Sequence, residues 1–211
     1  MRVDIFHDTV CPWCRIGKAN LLKAAKDFGE PLEIHYHTFF LNDSIPPEGT
    51  DFRELLLAKG GGRVRDLEMF FAAPREAGAR VGLTFNFEQI TRAPNTTLSH
   101  QLIALTPEAG KPAMIDAIYA AYFEHGQDIG QLPVLLDIAA AQGLDRADIE
   151  RRLLGEEGRE QVLQEAAEGI QLGVTGVPLF VFGNTFALSG AQPPAVMLKA
   201  LQQAQQFSTV S

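Results

Sequence analysis

The 211-residue sequence predicts an α/β fold interrupted by a large all-helical insertion. Three observations predict it. Short apolar or alternating segments of strand length stand near both ends, each beside a segment with helix start or stop signals. Between them runs a long stretch rich in Ala, Leu, Glu and Arg, punctuated by Gly and Pro. The resulting order is βαβ, a helical block, then ββα, with no internal repeat and no low-complexity linker.

Val3, Ile5 and Phe6 suit an opening strand. A helix follows from Pro12 to Phe28. Pro12 sits at an early helical position where no amide hydrogen is needed, Ala19, Leu21, Leu22, Ala24 and Ala25 continue it, and Gly29 stops it. Cys11 then caps this helix. Leu32, Ile34 and Tyr36 alternate with Glu33, His35 and His37, the period of a half-exposed strand, and a loop from Asn42 to Gly49 closes the unit. From about Thr50 to Gln171 the chain reads as helical: Met114, Ile118, Ala121 and Tyr122 recur at helical spacing, as do Val134, Leu135, Ile138 and Ala139, and later Val162, Ala166 and Ile170. Large apolar residues so spaced, Met114 and Phe123 among them, read as core rather than as a ligand box. Asp145, with Asp148 three residues on, marks a helix start carrying Ile149 and Leu153 on its buried face. After Gly173, Leu179–Phe182 and Thr185–Leu188 read as strands around a Gly183-Asn184 turn, and a last helix follows Pro193-Pro194. Residues 1–49 and 172–211 are thus expected to form one domain and residues 50–171 the insertion.

The composition, 46% hydrophobic, is that of a chain able to bury a core. A net charge of −8, from 18 Lys and Arg against 26 Asp and Glu, disfavours nucleic acid as a partner. No apolar run approaches the ~20 residues of a membrane helix, and the first residues are too charged for a secretory segment, so the cytoplasm is the expected location. Gly60-Gly61-Gly62 reads as a hinge or loop, since no Lys-Ser/Thr follows to make a phosphate loop.

Chemistry concentrates at Cys11-Pro12-Trp13-Cys14. Thiol–disulfide exchange needs a thiolate to attack and a second thiol to resolve the mixed disulfide. Positions three apart lie on one helix face with Cβ atoms ~5–6 Å apart, close to what a disulfide requires. At the helix start, unpaired amide hydrogens and the positive end of the dipole favour a thiolate at Cys11. Cys11 is therefore the candidate nucleophile and Cys14 the resolving thiol; Pro12 fixes the turn, and Trp13 offers an apolar face to a peptide. Two readings compete. A zinc site needs two more ligands, but there is no second cysteine pair and the five histidines are not grouped in ligand spacing, so no metal is expected. Inert core cysteines would not need a strand before the pair and a helix after it. His7 reads as the end of a strand rather than as a tuner of the thiols, and Phe39-Phe40 as either core or cleft lining.

These residues resemble the DsbA-like thioredoxin-fold oxidoreductases, and among them the cytoplasmic FrnE-type branch. The resemblance rests on the run from Asp8 to Lys18 around the cysteines, Leu41-Asn42 with Pro46-Pro47-Glu48-Gly49, and Pro94-Asn95-Thr96 with His100. Leu172 to Pro178 and Leu188 to Pro193 complete it. It implies a thioredoxin fold with a helical insertion. It also implies a cis Val177–Pro178 bond facing the cysteines, with the Val177 backbone free to pair with a substrate peptide beside Cys11. Asn95 and His100 resemble insertion residues that wall the active-site cleft, while a buried, hydrogen-bonded histidine is an equal alternative.

The implied partners are protein or peptide disulfides and an external thiol redox partner. No cofactor is expected beyond the chain's own redox-active disulfide, glutathione is a candidate reductant, and a homodimer is compatible with the fold. Two other functions stay open. Kappa-class glutathione transferases and hydroxychromene-carboxylate isomerases share the fold, but those relatives usually carry Ser at the Cys11 position and an Asp-Arg pair where Ser189-Gly190-Ala191-Gln192 stands. A chaperone-like module could instead hold unfolded chains around Trp13.

Overall fold

The computed structural model describes residues 1–60 and 66–208, with the side chain of Ser208 left aside; Gly61 and Gly62 of the glycine triplet lie outside these. In chain order the elements are β1 (Arg2–His7), α1 (Pro12–Phe28), β2 (Glu33–Thr38), β3 (Thr50–Asp51), α2 (Phe52–Lys59), α3 (Glu68–Ala79), β4 (Arg92–Ala93), α4 (Thr97–Leu105), α5 (Lys111–Phe123), α6 (Leu132–Ala141), α7 (Arg146–Leu154), α8 (Arg159–Gln171), β5 (Leu179–Phe182), β6 (Phe186–Ser189) and α9 (Pro194–Ser208). This is a thioredoxin-like α/β fold with a helical insertion.

The chain divides into two compact units. One comprises Met1–Leu41 with the chain from Glu165 onward, the other Asn42–Gln164. The first crossing falls at Leu41, where sequence texture placed it at Gly49, and the second at Gln164 rather than Gln171. Helix periodicity carries no mark at the second point because the border lies inside α8.

In the first unit the sheet order is β2-β1-β5-β6, with β1 and β2 parallel and the other pairs antiparallel. The parallel pair is bridged by α1, as a crossover between neighbouring parallel strands requires. Val3 and Ile5 of β1 and Phe180 and Phe182 of β5 pack with Leu21 and Ala24 of α1 and with Met197, Leu201 and Ala204 of α9. Each such fully buried Leu, Ile or Phe side chain contributes about 1.5–3 kcal/mol. The expected tight turn forms at Gly183-Asn184: both residues have positive φ, 56° and 57°, and the Thr185 amide donates to the Phe182 carbonyl at 3.0 Å.

The opposite sheet face carries Phe6, with Phe39 and Val174. The C-terminal turns of α8 lie over Phe6: a Cβ on Gly169 would stand 3.2 Å from the Phe6 ring. Val162, Ala166 and Gly169 are therefore the buried row of α8, whereas Ile170 is 62% exposed. Glycine, invisible to an apolar-periodicity count, is what lets the helix close on the aromatic ring.

A polar lock adds to this face. His37 on β2 bridges two carboxylates, its Nε2 at 2.7 Å from Asp4 Oδ1 and its Nδ1 at 3.2 Å from Glu165 Oε1. Glu165 also accepts from the Thr38 amide at 3.1 Å and hydroxyl at 2.9 Å, and the Arg2 guanidinium holds Asp4 at 2.6 and 2.8 Å. Phe6 stacks on the imidazole, centroids 4.9 Å apart. Burial works against the charged imidazole, but the hydrogen bonds and charges of Glu165 and Asp4 outweigh it and raise the His37 pKa. Burial likewise disfavours the two carboxylates. The bonds from Arg2 and His37 still bring Asp4 below its ordinary value, and those from His37 and Thr38 do the same for Glu165.

In the second unit, helices pack around an aromatic core in which the Phe71 ring stacks on Phe87 at 4.6 Å, with Phe85 and Phe123 beside them. The Asp145 carboxylate accepts from the Asp148 amide at 2.8 Å, so the expected cap starts α7 and buries Ile149 and Leu153. Met114 and Phe123 are core, as spacing suggested. A two-residue antiparallel bridge, Thr50 with Ala93 and Asp51 with Arg92, accompanies the helices.

Candidate active site

The cysteines sit where β1 hands over to α1. Cys11 is extended (φ −94°, ψ 110°) and occupies the cap, and Pro12 opens the helix without needing an amide hydrogen. The Cys14 amide donates to Cys11 Sγ at 3.3 Å, so the sulfur occupies the place of a capping oxygen. The Cys11 amide is anchored on the Asp8 carbonyl at 3.1 Å. Both sulfurs are reduced and both residues nearly covered, Cys11 2% and Cys14 1% exposed, while Trp13 between them is 38% exposed.

A second segment, 166 residues further along, meets Cys11. The Val177–Pro178 peptide is cis, and the Cys11 thiol lies 3.7 Å from the Val177 carbonyl oxygen, to which it donates. The Pro178 carbonyl accepts from the Gly190 amide at 2.8 Å, which ties the segment to the far end of the β5–β6 hairpin. Val177 is half-buried and Pro178 buried.

Burial pushes the Cys14 thiol well up. Its hydrogen bond to Cys11 and the neighbouring Cys11 and Asp8 charges act the same way, while an Asp8 backbone hydrogen bond partly opposes them. Cys14 is thus held as a thiol in the reduced protein. Asp8, 1% exposed, accepts from the Leu41 amide at 2.8 Å. Lys18, 3% exposed, lies with its ammonium 5.9 Å from the Tyr36 ring centroid, within cation–π range. Sequence reading assigned these two no role. The available signal for Lys18 was its place four residues after Cys14, on the same helix face; Asp8 precedes the helix and carried no such signal.

The remaining candidates divide differently. Asn95 and His100 belong to the second unit. The Asn95 amide donates to the Ile45 carbonyl at 2.7 Å and its oxygen accepts from Thr97 at 3.0 Å, so both ends hold the chain around the start of α4. His100 is 2% exposed, the setting of the core histidine that the sequence left open. His7 ends β1 and packs edge-on to Tyr36 at 5.6 Å, and Phe39 belongs to the core. Among the described residues no group of three or more His, Cys, Asp or Glu is arranged to hold a metal ion, and no helix is long and apolar enough to cross a membrane.

The DSBA-like thioredoxin domain matches residues 2–202 of the chain. Among solved structures, the probable DsbA oxidoreductase SCO1869 from Streptomyces coelicolor is similar with a TM-score of 0.88 and 30% identity, over 98% of this chain and 90% of that one. A 2-hydroxychromene-2-carboxylate isomerase shares the fold at a TM-score of 0.72 and 18% identity, over the whole of both chains. The protein YwbO of Bacillus subtilis is 25% identical over 97% of this chain and 98% of its own.

Proposed function

The chain belongs to the DSBA-like thioredoxin domain family, and from that premise we propose that it is a thiol–disulfide oxidoreductase working through Cys11 and Cys14 on protein or peptide disulfides. The observation that carries this reading is the setting of Cys11: its sulfur caps α1 through the Cys14 amide and faces the Val177 carbonyl. In the reductive direction the Cys11 thiolate attacks one sulfur of the substrate disulfide, forming a mixed disulfide and expelling the other substrate sulfur as a thiolate. Cys14, on losing its proton, attacks Cys11 Sγ. The enzyme disulfide forms, the second substrate thiolate leaves, and two electrons have passed from the cysteine pair to the substrate. Oxidation runs the same steps backwards. After reductive turnover an external thiol, with glutathione a candidate, re-reduces the pair, and after oxidative turnover an external disulfide re-oxidises it, since the chain has only two cysteines.

Holding Cys14 protonated suits this order of events, because only one sulfur is then ready to attack. Trp13 and the Val177–Pro178 backbone supply the surface for an extended substrate, with Pro12 shaping the turn. Asn95 and His100 act as supports of the second unit. The cytoplasm is our assignment, resting on a lone cysteine pair in a chain otherwise without thiols.

A glutathione redox titration followed by fluorescence of Trp13, the single tryptophan, tests the proposal. We expect one reversible two-electron transition that disappears in Cys11→Ser. Sulfurs that stay reduced across the whole range would refute it. A glutathione-dependent isomerase of the same fold is the competing reading. The Ser189–Gln192 segment speaks against it: Gln192 is bound internally, its Nε2 to the Ser189 carbonyl and its own carbonyl to Asn20, and the segment offers no charge to an anionic tripeptide. Strong thermal stabilisation of Cys11→Ser by glutathione would favour that rival. Undiminished suppression of client aggregation by Cys11→Ser, without exchange by the wild type, would favour a chaperone-like module.

A further inference from the structure

We propose that Gly17 is a positioning residue for disulfide exchange, setting the depth at which the Val177–Pro178 segment seats against the cysteine helix. This rests on the oxidoreductase reading above. Gly17 is buried in the interior of α1, one turn beyond Cys14, where glycine costs about 0.5–1 kcal/mol relative to alanine. Its backbone is helical, so no unusual dihedral requires it. Space does: a Cβ at this position would stand 2.8 Å from Phe180 Cζ, 3.2 Å from Phe180 Cε2 and 3.1 Å from Pro178 Cγ. Favourable carbon contacts lie near 3.5–4.0 Å, so a methyl here requires displacements of several tenths of an ångström.

The neighbours have little freedom to give way. Phe180 is fully buried between the helices and the sheet, and its backbone pairs with Ile5 in the ladder. Pro178 is held from the other side by the Gly190 amide on its carbonyl. Cys11 caps the same helix that carries Gly17, and Val177 is bonded directly to the Pro178 that a methyl would press. Relief therefore widens the gap spanned by the 3.7 Å contact of Cys11 with the Val177 carbonyl. An extended peptide that pairs with the Val177 backbone while presenting its sulfur to Cys11 must satisfy both ends of that gap at once. A small disulfide needs only the sulfur.

The test compares Gly17→Ala with wild type against two disulfides that release the same thionitrobenzoate leaving group. One is the symmetric aromatic disulfide, the other the mixed disulfide of thionitrobenzoate with a cysteine in a short extended peptide. A shared leaving group makes the ratio of the two rates report the peptide alone. We expect Gly17→Ala to lower the peptide rate ~10-fold and the aromatic rate less than ~2-fold, as sub-ångström misplacement of a bound reactant would.

Equal losses on both substrates, or no loss, would overturn the role of Gly17. A wild type inert towards both would instead sink the oxidoreductase reading. If Gly17→Ala does not fold, the comparison passes to Phe180→Leu with and without Gly17→Ala. Leucine removes the ring contacts and leaves Pro178 as the atom displaced, so the peptide-to-aromatic ratio must still fall in the double variant. An unchanged ratio there counts against the proposal.

Discussion

Replacing His37 with Gln should destabilise the first unit by an amount that depends on pH in a fixed direction. Its pKa lies above the ordinary 6.5, so its contribution is fully present below about pH 6.5 and is lost as pH rises through the folded value. Asp4 and Glu165 behave oppositely. Their values lie below the ordinary 3.8 and 4.5, so they contribute above those values and lose the contribution as pH falls through the lowered ones. The lock is therefore at full strength between about pH 4.5 and 6.5.

Each of the two imidazole–carboxylate bonds, at 2.7 and 3.2 Å, falls in the charge-assisted class. Because the His37 side chain keeps 23% of its exposure, we take the low end of the range and expect a loss of about 2 kcal/mol near pH 5.5. Near pH 8.5, where less of the imidazole carries its proton, the loss should be smaller. Urea unfolding followed by Trp13 fluorescence reads this, since the only tryptophan lies in the first unit. A loss equal at both pH values, or greater at the higher one, would refute the charge-based account.

Three further expectations concern the same unit. Cys14→Ser should accumulate a stable mixed disulfide between Cys11 and a substrate thiol, visible as an added mass that reductant removes; free turnover would contradict the assigned order of attack. In the native reduced protein, alkylation at neutral pH should label Cys11 before Cys14, whose thiol is held protonated by burial and by Cys11; peptide mapping with equal labelling would contradict this. Gly29→Ala should cost about 1 kcal/mol by placing a Cβ in the left-handed region, because Gly29 has φ 76° and no neighbouring atom within reach of an added methyl. Urea midpoints decide it, and an unchanged midpoint would mean that the cap relaxes freely.

Local chemistry accounts for the features legible in the sequence. α1 runs from Pro12 to Phe28 with Cys11 as cap and Gly29 left-handed because each of those signals acts within one turn. The Gly183-Asn184 turn and the Asp145 cap are of the same kind, and so is the spacing of the two cysteines. Motif resemblance extended this to the Val177–Pro178 bond, which is cis. The amide bonds of Asn95, to Ile45 and Thr97, are contacts that no motif announces.

The α/β order, the helix that carries the two cysteines and the spacing between those cysteines were all readable from the chain, because each depends on residues a few positions apart. Tertiary structure alone decided what stands opposite them. His37 meets a carboxylate 128 positions away, Cys11 meets a carbonyl 166 away, and Gly17 is glycine because Phe180 and Pro178 occupy the space a methyl would need. The physical reason is that packing is set by which surfaces the sheet and helices press together, and a chain read in order carries no record of the distance between them.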